Sequence, residues 1–370
     1  MPPTSEANCK FAFSLYCAVA KEQKGNFVLS PLCFSLAFAL LLNGADEPAR
    51  QEILRATGFD GVDLTTINEE AVALQKALNE SNKRSGEAFV LANSIWASLP
   101  QAFTSKFVEI ARRYYNSVAR SVPADEFSQQ VSRWSLEKTR GLVEMQLAPS
   151  DFALLSAAYF KGRWETPFAE EQTQQQDFHP QASPARQVPM MVQRGEYSYY
   201  DGKHFHVVAL PFSFATMCFL LPKPGLFNRP SIREIEQKVL SDGWIMTQPF
   251  ARRPGLVKIP RFKLHHDAEF IPVLRKLGLA RLFESFDSLQ PAVTNPLGAR
   301  VVQVLQNSAI SVDEQGAEAA SVLAVIMAAG NAPAWKPPKP FEFIADHPFC
   351  FWITDNLTGA ILFMGRFEEP

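Results

Sequence analysis

Histidine and cysteine are the residues here that chemistry would recruit first, and there are six of one and five of the other. His265-His266-Asp267 comes nearest to a metal-ligand cluster. Adjacent side chains on a strand point to opposite faces, so two neighbouring histidines do not converge on one ion, and the trio reads as surface turn residues. His204 and His206 would share one strand face, but no third ligand lies near them, and packing is the simpler reading. G-x-S-x-G, H-E-x-x-H, Walker and G-x-G-x-x-G patterns are all absent. Neither an enzyme, nor a metal site, nor a cofactor is expected. Cys9, Cys17, Cys33, Cys218 and Cys350 are odd in number, contain no C-x-x-C pair, and sit in apolar or amphipathic contexts. They are expected to be buried free thiols suited to a reducing compartment.

A different stretch holds more promise. Asp313 to Phe343 reads DEQGAEAASVLAVIMAAGNAPAWKPPKPFEF. From Ala317 to Ala329 there is neither glycine nor proline, and the one charge is Glu318. If Glu318 faces outward on a strand, then Ala317, Ala319, Ser321, Leu323, Val325 and Met327 share the inner face. The segment is ready to be a strand, yet it is long for one and its flanks look like surface loop.

The elements around it must come from a chain of 370 residues, 47% hydrophobic and 20% charged, which are globular proportions with room for a large core. A net charge of -2 without long like-charge runs gives no support to nucleic-acid or acidic-membrane partners. Phe34–Leu42 is the most apolar helical stretch and is far short of the ~20 residues a bilayer span needs, so no membrane role is expected. The N-terminus shows no secretory signal, which points to the cytoplasm, or to secretion if a signal has been removed. Asn79-Glu-Ser81 and Asn356-Leu-Thr358 are sequons of a kind common by chance.

Helical periodicity predicts helices at Phe11–Ala20, after the Ser30-Pro31 cap through Leu42, at Pro48–Thr57, Ile67–Leu78, Phe103–Tyr115, Gln129–Leu142, Ile232–Leu240 and Ala268–Leu277. Residues 81–86 are expected to form a loop. Strands are expected at Phe89–Ala97, Ala153–Trp164, Tyr197–Gly202, His206–Phe212, Thr216–Pro222, Leu256–Leu264 and Ala299–Val312, with a closing hairpin at FCFWITD and GAILFMGRF. No repeat or linker divides the chain, so one mixed α/β domain over 1–370 is expected.

The motifs occur in a recognisable order. NFVLSPLCFSLAFALLLNGA (Asn26–Ala45), LANSIW (Leu91–Trp96), Trp134…Thr139-x-Gly141, YFKGRWETPF (Tyr159–Phe168), VPMM (Val188–Met191), VVALPF…MCFLLP, DEQGAEAAS and the terminal FIADHPFCFWITDNLTGAILFMGRFEEP together resemble the serpin family over essentially the whole chain. The resemblance implies a mixed α+β fold of three β-sheets with eight or nine helices and an exposed reactive-centre loop, here about 314–336. In inhibitory members a target serine protease cleaves the loop and stays acyl-linked to it while the loop enters the central sheet as an added strand. Glu314, Gly316, Ala317, Glu318, Ala319, Ala320 and Ser321 match the hinge of that loop. Their small side chains suit insertion, and the absence of proline or bulky charge disfavours a non-inhibitory member (a carrier, chaperone or storage protein).

No Lys or Arg lies between Arg300 and Lys336, which disfavours a trypsin-like target. Counting from either end of the loop gives Ala329-Gly330 or Gly330-Asn331 as the scissile bond, with Ala328 and Met327 as further candidates. Elastase-like or subtilisin-like pockets fit these residues; a cysteine-protease target is a third reading. In the region expected to govern sheet opening, Ser30 is retained and Cys33 stands where serine is common. Ser156 and Gln306 stand where the family usually has Asn and His, and could pair with each other. Trp164 matches the tryptophan where insertion starts, and Arg261 is expected to pair with Glu314. Only Lys76, Lys83 and Arg84 precede the Phe89 strand, so heparin activation is not expected. A monomer is expected.

Overall fold

The computed structural model describes residues 3–85, 88–99, 101–139, 141, 144–150, 152–223, 231–241, 243–294, 298–315 and 339–370. In chain order, α1 (Pro3–Glu22), β1 (Phe27–Leu29), α2 (Pro31–Leu41), α3 (Glu47–Thr57) and α4 (Leu64–Ser85) form the first third. Then come β2 (Ala88–Ala97), α5 (Ser105–Tyr115), β3 (Val118–Ser121), α6 (Ala124–Lys138) and β4 (Ala153–Lys161). β5 (Gln174–Phe178), β6 (Arg186–Asp201), β7 (Phe205–Pro211) and β8 (Ala215–Pro222) lead to α7 (Ile232–Val239), β9 (Ala251–Pro260) and β10 (Phe262–Glu269). α8 (Ile271–Lys276), α9 (Arg281–Glu284), β11 (Gln303–Val312), β12 (Phe341–Ile344), β13 (Phe349–Asp355) and β14 (Ile361–Phe367) complete the order. Nine α-helices thus occur among the described residues, within the expected number.

The described strands hydrogen-bond into two assemblies. One has five strands in the order β10-β11-β4-β2-β3. The other has nine and is continuous because β6 is 16 residues long, pairing with β5 along its first part, with β9 from Met190 to Tyr199 and with β7 near its end. α2 is buried along its whole length, as its mixture of Leu, Phe and Ala with no charge requires. It packs against β2, β4 and β14, beneath the five-stranded sheet. The outer face of that sheet has its own small core, in which Trp96, Ala153, Leu155 and Ala157 meet Phe127, Val131 and Trp134 of α6.

Several expectations need correction. Leu256–Leu264 is two strands. Pro260 ends β9 without an N–H to extend the ladder, the Arg261 N–H turns to Pro189 O at 2.8 Å, and β10 continues in the other sheet. His265-His266-Asp267 lies within β10 and is not a turn, although the opposite-face argument holds. There His265 Nε2 meets Asn307 Oδ1 and His266 Nδ1 meets Val28 O. The expected helix at 268 starts only at Ile271, because Ala268 and Glu269 still pair with β11. α4 runs on through residues 81–85. α6 starts at Ala124, where Asp125 and Glu126 favour a helix N-terminus, and ends at Lys138, before Gly141 at φ +79°. Tyr197–Gly202 is the far end of β6, and Trp164 lies beyond β4 in an isolated bridge to Phe212.

Candidate functional site

The candidate site is the seam between β4 and β11. The two strands run parallel over eight residue pairs, from Gln303 beside Ala153 to Ile310 beside Phe160. Their C-terminal ends therefore lie side by side, and the chain that leaves β11 starts at the head of the seam.

At that head, Glu314 is buried although it is a carboxylate. Its Oε1 accepts from Arg261 Nη2 at 2.5 Å and from Thr173 Oγ1 at 2.6 Å, and its carbonyl accepts from Phe168 N at 2.9 Å. Burial would raise the Glu314 carboxyl, but Arg261 and Thr173 outweigh burial and hold it below its ordinary value. Trp164 Nε1 donates to Asp313 O at 2.8 Å, and its ring stacks on Phe212 with centroids 4.0 Å apart at 13°. Gln315 reaches Glu170 at 2.6 Å. The residues leaving β11 are thus clasped from three directions. Arg261 is at this position because Pro260 broke the strand there.

Midway down, on the inner face of the sheet, lies a buried polar network. The Gln306 amide clasps the Ser30 backbone twice, accepting from its N–H at 2.8 Å and donating to its C=O at 2.9 Å. Ser308 Oγ donates to Gln306 Oε1 at 3.0 Å, and Ser30 Oγ donates to Leu362 O at 2.7 Å. On the other strand, Ser156 Oγ donates to Asn93 Oδ1 at 2.6 Å, and Asn93 Nδ2 donates to Cys33 O at 2.9 Å. Burial pushes the Cys33 thiol up to about 12, so it is an inert filler.

Of the expected sheet-opening residues, Ser30, Cys33, Ser156 and Gln306 gather in this network, and Trp164 and Arg261 gather at the head with Glu314. The expected Ser156–Gln306 pair is a correction: the two stand side by side in register, but each bonds to another partner. Asn93, Thr173 and Phe168 were not singled out from the sequence. Asn93 lies in the LANSIW motif, which was its one signal. Gly316, Ala317, Glu318, Ala319, Ala320 and Ser321, and the bond candidates Met327, Ala328, Ala329, Gly330 and Asn331, lie outside the described residues.

The Arg261–Glu314 clasp makes a prediction. Glu314→Ala should raise the rate at which the head of the seam opens several-fold, followed as hydrogen exchange of the Phe168 amide that donates to Glu314 O. A carboxyl held low keeps its ionised, clasped form above its ordinary value and loses it as pH falls through the lowered one. The wild-type rate should therefore be flat above about pH 5 and rise in stronger acid, while the variant shows no such rise from this group. An unchanged rate in Glu314→Ala would rule out the clasp.

A parallel sheet seam capped by a clasped loop start, over a buried helix, is the architecture of a family. A family model described as Serpin (serine protease inhibitor) matches residues 6–370, and the chain belongs to that family. It is 27% identical to human Serpin B4, with all of both chains covered. It is 26% identical to human leukocyte elastase inhibitor at the same coverage, and 29% identical to wheat Serpin-Z1C over 98% of this chain and 95% of that one. Among solved structures, Arabidopsis AtSerpin1 in its native stressed conformation superposes with a TM-score of 0.86 at 22% identity, covering 99% of this chain and 98% of the other.

Proposed function

We propose that this chain is an inhibitory serpin, a single functional unit over 1–370 that traps a serine protease as a suicide substrate and is not itself an enzyme. The observation that carries this reading is the parallel β4–β11 pair. A segment folding back from the end of β11 runs antiparallel to both strands, so its insertion replaces one parallel ladder by two antiparallel ones. Ala317 to Ser321 enter first and are small enough to pass between strands in contact, and the larger Leu323, Val325 and Met327 follow.

The protease serine attacks the carbonyl carbon of the scissile bond, most favourably at Ala329-Gly330 or Gly330-Asn331. An ester forms, and the protonated amine leaves as the start of the C-terminal fragment. Insertion then drags the acyl-linked protease along the sheet before water can hydrolyse the ester. The small residues fit an elastase-like or subtilisin-like pocket, and similarity to leukocyte elastase inhibitor supports the first. The partner is that protease, met by a monomer without heparin. The five cysteines are free in the structure, which supports a reducing compartment such as the cytoplasm. No described helix is long and apolar enough to cross a membrane.

Mixing with pancreatic elastase and with subtilisin tests the reading. A protease complex that survives SDS, with a released C-terminal peptide whose mass begins at Gly330 or Asn331, is the expected result. Clean cleavage without complex would make the chain a non-inhibitory member, and a complex with papain alone would make its target a cysteine protease.

A further inference from the structure

Ser35 is the one hydroxyl residue in α2, whose other residues are apolar apart from Cys33. It is 2% exposed, and Asn8 of α1 is 8% exposed. Burying a hydroxyl or an amide costs stability unless a hydrogen bond replaces the water it loses. A serine inside a helix often bonds back to the carbonyl four residues earlier. Among the described residues, however, Ser35 Oγ has no hydrogen-bond partner, and neither has Asn8 Oδ1.

Both side chains line one cavity of about 20 Å³, where α1, α2 and α4 meet. Its walls are otherwise apolar, with Leu36 and Ala39 of α2, Phe59, and Ile67 and Leu74 of α4, except for the half-buried Glu70 of α4. A bound water needs roughly 10–15 Å³ or more and two to four polar partners. This cavity meets both conditions and holds one water-sized group. A dry cavity between helices would be lined by apolar groups alone.

We propose that the cavity is a specific binding site for a single water molecule, which joins α1 to α2. Asn8 Oδ1 can only accept, so the water donates to it. The Ser35 hydroxyl donates to the water oxygen, and the second water O–H has an acceptor in the Glu70 carboxylate. The bridge gives Ser35 and Asn8 the partners that burial otherwise denies them, and accounts for a serine in an apolar helix. A water with three such bonds is held nearly as well as a direct contact between the helices would be. The site is independent of loop insertion and stands whether or not this chain inhibits a protease.

The test is NMR magnetisation transfer from water to backbone amides in the full-length protein, comparing wild type with Asn8→Leu and Ser35→Ala. A long-lived water should mark the Leu36 and Ala39 amides in wild type and in neither variant. Absence of that signal in wild type would overturn the proposal. So would a signal that persists undiminished in Asn8→Leu, because it would then come from exchange of the Ser35 hydroxyl. Each single substitution strands the other polar atom and should lower the melting temperature by about 2 °C. Asn8→Leu with Ser35→Ala strands neither, and should lose less than the two single losses combined. Strictly additive losses would count against the bridge. A wild-type melting temperature that differs between sodium and potassium at constant ionic strength would place a cation there and overturn the assignment of water. If Asn8→Leu does not fold, Asn8→Ala serves the same comparison.

Discussion

Cutting the proposed reactive-centre loop should raise the melting temperature of this protein by about 10–20 °C. In the described structure β4 and β11 pair directly with each other over eight residue pairs. A strand of about a dozen residues between them adds hydrogen bonds on both sides, each worth about 0.5–1.5 kcal/mol net. Its alternate side chains also bury apolar surface at about 25 cal/mol per Å². The sum is on the order of 10 kcal/mol, comparable with the whole stability of an ordinary domain. In a chain of this size each kcal/mol moves the midpoint by a degree or two. Calorimetry of the intact and nicked protein reads the difference directly. A nicked form that melts where the intact form does would mean that the loop does not insert.

The second large effect lies far from the seam. Arg366 and Glu236 are both fully buried and joined at 2.6 Å. Arg366 also donates to Ala20 O and Gln23 O, and its guanidinium lies over the Phe27 ring at 5.0 Å. Glu236 further accepts from Tyr16 Oη at 2.8 Å and Cys350 Sγ at 3.3 Å. This cluster ties α7 to β14 and to the turn after α1. Arg366→Met would leave a buried carboxylate and orphaned carbonyls, and should cost about 3–5 kcal/mol. Arg366→Met with Glu236→Gln removes the stranded charge and should recover part of the loss. Denaturant midpoints of the two variants measure this. A single variant with wild-type stability would mean that the pair contributes nothing beyond what an apolar replacement supplies.

How much of this was legible depended on how far apart the partners lie in the chain. The α2 helix was plain, because Ser30-Pro31 and the uncharged run to Leu42 carry their own start signal and burial pattern. The Arg261–Glu314 clasp was legible only through the resemblance, since 53 positions separate the two residues. Thr173 and Asn93 were missed: a threonine or asparagine can form a hydrogen bond in many settings, and which one it forms depends on the strands that flank it. The same limit explains the mispaired Ser156 and Gln306. Their register side by side is real, but the Gln306 amide turns down to the Ser30 backbone, which offers a donor and an acceptor together.

By itself, then, the order of residues determined the local properties: which stretches are helical, that the cysteines lie in apolar or amphipathic stretches (four of them buried in the structure, Cys9 half-buried), and that Ala317–Ser321 are small and uncharged apart from Glu318. Local steric and hydrophobic preferences settle those within a few residues. Only the tertiary structure decided that β4 and β11 are parallel neighbours, that Pro260 divides one apolar run between two sheets, and that the polar network parts along the seam. Those outcomes depend on which distant segments come into contact, and the short-range pattern is compatible with many such pairings.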